Sequence, residues 1–279
     1  MGRFTGLLGL IILLGVAWLF STHKKDIKLR LIAWNIRAGG GTRVPALARQ
    51  LARWTPDVVA LCEFRATPPS AILAAALAKQ GLTHQATTAD PRQPGVNALL
   101  LASRWPLRRV LARGAPREPA RFLLAEVTAP TPFTLGAMHV PNRDTGRKWP
   151  FLDAVLRLAE AWAHGPAVLI GDTNSGRPGL DEAPTCRAGF NAREGGWIDG
   201  LERAGWRDGF RHLEGEARAY TWYSPNAGNG FRLDQAFLNG ALLPALGTVR
   251  YEWGRRRPGI RPTPALSDHA ALLLDFTPR

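Results

Sequence analysis

Short apolar runs recur along the chain, each closed by a polar or glycine-rich break, and between several of them lie longer stretches whose apolar residues return at helical spacing. The run IKLRLIAWNI ends in the glycine cluster AGGG and reads as a strand feeding a loop. VPALARQLARW has the period of a helix, and PDVVALCEF is short enough for a buried strand, so the order there is strand, helix, strand. SAILAAALAKQG is a second helix closed by glycine. VNALLLAS, RFLLAEVTA and FTLGAMHV read as strands, WPFLDAVLRLAEAWAHG as a third helix, and AVLIGDTN as the strand after it. From Ser175 to Asp208 the chain is rich in Gly, Arg and Asp with little period, which predicts loops around one short helical turn near Ile198 to Ala204. AYTWYS, FRLDQAFLN and AALLLDF close the pattern as strands. About ten strands interleaved with helices predict a layered α/β fold in which two sheets pack face to face with the helices outside.

Residues 27–279 show no repeat, low-complexity tract or linker, and one domain is expected there. Residues 1–26 read differently. Phe4 to Thr22 carries no charge and as a helix is about 28 Å long, near the hydrocarbon thickness of a bilayer. A single-pass anchor in a bacterial plasma membrane is expected; a cleaved signal peptide is the rival, disfavoured by a lone Arg3 in the n-region and by WLFSTHKK, which lacks a small-residue cleavage site. Lys24, Lys25, Lys28 and Arg30 argue for a cytoplasmic flank, but Arg3 and the N-terminal amine partly balance them, which leaves the side open. Two cysteines, Cys62 and Cys186, define no disulfide framework, and no Cys/His cluster suits structural zinc.

The net charge is +14, and only five of the 36 basic residues are lysine. Such a surface attracts phosphate-rich partners, either nucleic acid or an anionic membrane face, although a genome-wide preference for arginine raises the same count without any ligand. Arg255, Arg256, Arg257 and Arg261 lie in a Pro- and Gly-rich run leading into LSDH, placed for either partner.

The polar residues at the ends of the expected strands carry the chemistry: Asn35, Glu63, His139, Asp172, Asn174, Asp234 within FRLDQAF, and Asp268 with His269. Each taken singly has a plain structural reading, as a turn former or a satisfied histidine. Together, if the strands end at one edge, they form a rim of four carboxylates, two amides and two imidazoles. Hard oxygen ligands suit a divalent cation, and amides and imidazoles suit phosphoryl oxygens.

In their order and spacing, LIAWNIRAGG, PDVVALCEF, GVNALLLASRWPL, MHVPN, IGDTNSG, YTW followed by FRLDQAF, and SDHAALLLDF resemble the endonuclease/exonuclease/phosphatase superfamily, over residues 28 to 277. The resemblance implies the deoxyribonuclease-I-like fold, a four-layer sandwich of two mixed β-sheets with helices outside. It implies a Mg²⁺ site, with Mn²⁺ as a substitute, in which Glu63 and Asp268 are ligands with Asn35 beside them. It makes Asp172 the residue that orients or deprotonates water, with Asn174 holding it in line. His269, set in its tautomer by Asp234, and His139 on the opposite side then face the phosphoryl group. Arg121, with Arg117 as a rival, Asn142 of MHVPN and Trp222 of YTW become substrate contacts, Trp222 with a structural alternative. Thr173 and Gln235 depart from the usual aromatics, and Thr173 is expected to leave its side of the pocket more open. Cys62 alternates away from Glu63 and reads as core.

Three functions follow as expectations. The first is a monomeric, metal-dependent nuclease acting on DNA or RNA. The second is a phosphodiesterase or phosphatase of phospholipid, sphingolipid or inositol-phosphate head groups at the membrane. The third, a catalytically silent basic binding module, is disfavoured by the complete ligand set.

Overall fold

A computed structural model describes residues 29–186, 189–254 and 266–277. The strands in chain order are β1 (Leu29–Asn35), β2 (Val58–Phe64), β3 (His84–Thr87), β4 (Ala98–Ser103), β5 (Leu107–Arg109), β6 (Phe122–Val127) and β7 (Phe133–His139). They continue as β8 (Ala167–Asp172), β9 (Trp206–Asp208), β10 (Trp222–Tyr223), β11 (Gly230–Phe231), β12 (Asp234–Asn239), β13 (Leu246–Glu252) and β14 (Ala271–Phe276). The helices are α1 (Val44–Trp54), α2 (Pro68–Lys79), α3 (Lys148–Glu160), α4 (Ala192–Arg203) and α5 (Gly209–Glu214).

Two six-stranded sheets form, in the orders β13-β14-β1-β2-β4-β3 and β5-β6-β7-β8-β12-β9, with β10 and β11 as a separate hairpin. Each sheet has one parallel pair at its centre, β1 with β2 and β7 with β8, and antiparallel neighbours elsewhere. Three apolar cores separate four layers. The middle one packs Leu31, Ala60, Leu101, Leu135, Ile170 and Leu272 between the sheets. A second lies under α1 and α2, around Trp34, Leu47, Leu51 and Leu73, and a third under α3 and α4, around Phe151, Val155, Trp197 and Phe237. The expected four-layer sandwich is therefore the observed one.

Most of the strand and helix pattern along residues 29–172 follows the apolar runs and periods, because those elements bury a continuous stripe or face, whereas the short, largely exposed β3 and β5 carry no such signal. α1 shows this directly: Leu47, Leu51 and Trp54 fall on one side of it and are buried. The stretch from Ser175 to Asp208 differs from its expected loops. A full helix, α4, runs there from Ala192 to Arg203, begun by a capping box in which the Asn191 side chain accepts from the Arg193 and Glu194 amides and Glu194 accepts from the Asn191 amide. Gly195, Gly196 and Gly200 lower its local propensity and thin its apolar pattern. The packing explains Gly200, since a Cβ there would stand 2.9 Å from the Leu156 side chain of α3.

The expected anchor, Phe4 to Thr22, lies outside the described residues, as does the basic run 255–265. Among the described residues no helix is long and apolar enough to cross a membrane. The longest, α3, has 13 residues, about 20 Å against a core of about 30 Å. The expectation of a single-pass protein of a bacterial plasma membrane, with a membrane partner, is corrected accordingly.

Candidate active site

The mixed sheets explain why residues from strand ends and strand starts meet. Asn35 closes β1 and His139 and Asp172 close the parallel pair β7 and β8, where they stand in register. Asp234 instead opens β12, which runs antiparallel to β8 and sets Asp234 opposite Asp172. Asp268 and His269 likewise precede β14, antiparallel to β1. The strands need not share a direction, because reversed neighbours bring their first residues to the same rim.

Local backbone strain marks that rim. Among the described residues five that are not glycine have positive φ, and four of them, Arg37, Ala38, Glu63 and Asn174, flank the site. Glu63, at φ 58°, coincides with a register shift between β2 and β4, a bulge that re-aims its carboxylate. The Ala38 backbone amide donates to Glu63 Oε2 at 2.7 Å and Asn35 Nδ2 to Oε1 at 3.2 Å. Gly171, at φ 139°, allows β8 to approach β7, for a Cβ there would lie 2.1 Å from Met138 O. Cys62 faces this same contact from the middle core, its thiol donating to Met138 O at 3.3 Å.

Asp172 is the centre of the arrangement. Its Oδ1 accepts from the Asn174 amide at 3.0 Å and its Oδ2 from Asn35 Nδ2 at 3.0 Å. His139 Nε2 lies 3.7 Å and His269 Nε2 3.8 Å from the same Oδ2. Asn174 is tied down in turn, donating through Nδ2 to Val140 O at 2.8 Å while its own carbonyl accepts from Lys148 Nζ at 2.5 Å. His269 Nδ1 pairs with Asp234 Oδ2 at 2.9 Å. The segment carrying His269 is strapped to β1 and to the hairpin: Trp34 Nε1 donates to His269 O at 2.9 Å, Ser267 Oγ to Asn35 O at 2.6 Å, and the Ala270 amide to Thr221 O at 2.8 Å.

The two imidazoles are shifted in opposite directions. Burial works against the His269 cation, but Asp234 and then Asp172 outweigh it and raise His269 to about 10. Burial of His139, only partly offset by Asp172, lowers that residue to about 4. Asp172 itself is pushed upward by burial, with His269 opposing and Asp234 reinforcing.

A cavity of about 500 Å³ opens on this rim. Glu63, His139, Asp172, Asn174, Asp268 and His269 line it, as do Asn142 and Trp222. Phe190, Trp222, Phe231 and Leu233 form its apolar wall, with Phe190 and Phe231 edge to face at 5.5 Å. Arg121 is not among the lining residues; half-buried behind His139, it reaches His139 O at 3.4 Å. Arg117 lines a separate cleft with Arg147 and Arg157. Thr173 does not open the pocket: it is fully buried, with its hydroxyl 2.8 Å from Leu233 O and 2.9 Å from Ser175 O. Gln235 is buried too, donating to Ser175 O at 2.8 Å.

Sequence reading missed the supports of the site. Lys148 and Glu194 form a buried ion pair beneath Asn174, and Arg143 also reaches Glu194. Fully buried Arg232 donates to Asp181 at 2.8 Å and Asp208 at 2.6 Å, and Tyr251 donates to Asp234 O at 2.9 Å. The only signal for these was charge within otherwise apolar runs, as in GFRLDQAF and RKWPFLDAV.

Two groupings could hold a cation. Asp172, Asp234 and His269 each place a ligand atom within 4.8 Å of the others, all buried. A metal bound between Asp234 and His269 Nδ1 would have to replace the hydrogen bond of 2.9 Å that joins them. The carboxylates of Glu63 and Asp268 line the same cavity and are more exposed, with Asp268 3.8 Å from Arg37. As oxygen donors open to water they fit a hard divalent cation better.

The rim of the four-layer sandwich thus gathers a buried carboxylate between two imidazoles. The chain belongs to the Endonuclease/Exonuclease/phosphatase family, whose model matches residues 32–269. Solved structures of similar fold include the 3′ phosphatase NExo from Neisseria bound to product DNA hairpin, at 23% identity and TM-score 0.71 over 89% of this chain and 99% of that one. An AP endonuclease from Archaeoglobus fulgidus aligns at 18% identity and TM-score 0.72, again over 89% and 99%. An endonuclease/exonuclease/phosphatase from Beutenbergia cavernae aligns at 21% identity and TM-score 0.61 over 90% and 71%. No curated protein matches the chain.

Proposed function

We propose that the protein is a divalent-metal-dependent nuclease that hydrolyses phosphodiester bonds of DNA or RNA. The observation that carries this reading is the setting of Asp172, fixed by Asn35 and Asn174 between a neutral and a charged imidazole at the floor of an open cavity. A carboxylate whose pKa burial raises is suited to take the proton of an attacking water. As that water's oxygen forms its bond to phosphorus, the bond to the leaving oxygen breaks. His269, kept protonated by Asp234, donates to a phosphoryl oxygen, and His139 faces the same group from the other side without adding charge. Glu63 and Asp268 would hold Mg²⁺ or Mn²⁺, with Asn35 setting the Glu63 carboxylate; the cation would supply charge neutralisation for the developing phosphorane.

Two features favour nucleic acid as substrate. The apolar wall of Phe190, Trp222, Phe231 and Leu233 suits a sugar or base next to the phosphate, and the net charge of +14 suits a polyanion. Nothing among the described residues supports the lipid head-group alternative. The test is a substrate panel of plasmid DNA, single-stranded DNA, RNA, abasic duplex, sphingomyelin and inositol phosphates, each with Mg²⁺ and with EDTA. Cleavage of one or more nucleic acids that stops in EDTA and returns with Mg²⁺ or Mn²⁺ is expected. Full activity in chelator, or hydrolysis confined to the lipids or inositol phosphates, would overturn the reading.

A further inference from the structure

On the Asn174 side of Asp172 a buried carboxylate is shared by two cations. Glu194 is fully buried, and its carboxylate takes contacts from Lys148 Nζ, from Arg143 Nη2 at 3.0 and 3.2 Å, and from the Asn191 amide at 2.7 Å. Two cations thus reach this one carboxylate, and Asp172 acts on Lys148 as a further anion. Lys148 is buried with Glu194 (side chains 3% and 0% exposed) and neutralises it, while Arg143 is 48% exposed and lines the catalytic cavity. Of the two cations, Arg143 is therefore the one that stands at the wall of the pocket.

Its attachment leaves it competent to bind. Arg143 is held through one nitrogen, Nη2, to Glu194 and to Gly189 O at 3.3 Å. A guanidinium carries five N–H donors in a planar fork, so anchoring at one nitrogen orients the group and leaves donors for a second acceptor. Neutralising Glu194 does not require Arg143, because Lys148 already does so. A half-exposed cation at the wall of the cavity instead draws an anion toward it. Asn142, its neighbour, is exposed and lines the same cavity.

We infer that Arg143 forms a second phosphate subsite, which binds the phosphodiester adjacent to the one being cleaved and so selects a strand over an isolated phosphate ester. This rests on the nuclease reading above. Lys148 and Glu194 are the positioning pair, tying the subsite to Asn174 and through it to Asp172.

The test uses oligonucleotides cleaved at one position, with either neighbouring phosphate replaced by an uncharged methylphosphonate, and compares wild type with Arg143→Gln and Arg143→Lys. For the wild type, neutralising one particular neighbour should raise KM about tenfold. Arg143→Gln should raise KM by a similar factor on the fully charged strand and lose nothing further on the neutralised one, whereas Arg143→Lys should keep part of the discrimination. An Arg143→Gln variant that still loses the same factor on neutralisation would overturn the inference. So would a variant that loses kcat and thermal stability together while its response to neutralisation persists, since that is the behaviour of a structural brace. If the wild type cleaves none of the strands, the nuclease reading itself falls and the subsite with it, an outcome distinct from cleavage that ignores Arg143.

Discussion

His139 and His269 flank one carboxylate oxygen at nearly equal distance, 3.7 and 3.8 Å, and are almost equally buried, at 5% and 6% exposure. Yet one is neutral and the other charged. Burial disfavours the cation on both sides, and Asp172 favours it on both. The difference is the second nitrogen. His269 Nδ1 has Asp234 at 2.9 Å, whereas His139 Nδ1 is buried with no hydrogen-bond partner among the described residues. Arg121 behind His139 adds a further bias against its protonation. Proton occupancy here is thus set by what stands behind each ring and not by the distance to the shared anion. A single carboxylate can then work between a fixed cation and a neutral polar group.

The largest effect should come from removing the anion both rings share. Asp172→Asn is expected to lower turnover about a thousandfold or more while circular dichroism stays native, because the group that handles the water's proton is lost and nothing in the core is disturbed. Near-normal turnover in a folded variant would break the central role of Asp172.

Asp234→Asn should act on one side alone. Turnover should fall about a hundredfold. In an NMR titration His269 should leave its value of about 10 for the ordinary histidine range while His139 stays near 4. A His269 that titrated near 10 without Asp234 would show that the asymmetry has another source.

The smallest effects should appear in stability against pH. For His139, whose folded value lies below the ordinary 6.5, the stabilising contribution is present above pH 6.5 and is lost as pH falls toward 4. For His269, raised from 6.5 to about 10, the contribution is full below 6.5 and is lost as pH rises toward 10. His139→Gln should therefore flatten the acid side of a melting-temperature profile and His269→Gln the alkaline side, by about 2–4 °C for each kcal/mol involved. Scanning calorimetry across that range reads both, and a variant that flattened the wrong side would reverse the assignment of charge.

Much of the fold was legible along the chain, because a short unbroken apolar run or an apolar stripe of period 3.6 is a local property. LIAWN, VVALC, GAMH and AVLIGD are such runs and became β1, β2, β7 and β8, buried on both faces. The polar residues that end or follow those runs, Asn35, Glu63, His139, Asp172 and Asn174, were legible for the same reason: a polar group after a buried strand stands out. The apolar run Phe4 to Thr22 was equally visible, but the membrane location read from it does not hold against the helices described here.

Tertiary structure decided the rest, and each case turns on contacts between residues far apart in the chain. α4 forms despite three glycines because Trp197, Ile198 and Leu201 find a core and Gly200 lets α3 come close. Asp234 looked like one residue within a strand, yet pairing β12 antiparallel to β8 makes it the first, opposite Asp172 and against His269. Lys148 and Glu194, 46 positions apart, carry no mark in sequence that they will meet under Asn174. Their neutralised pair is what leaves the charge of Arg143 at the cavity. Sequence by itself determined which chemical groups are present and which strands bring them to an edge. The charge each group carries there was decided only by the fold, because protonation depends on burial and on the nearest partner, and both are set by contacts across the chain.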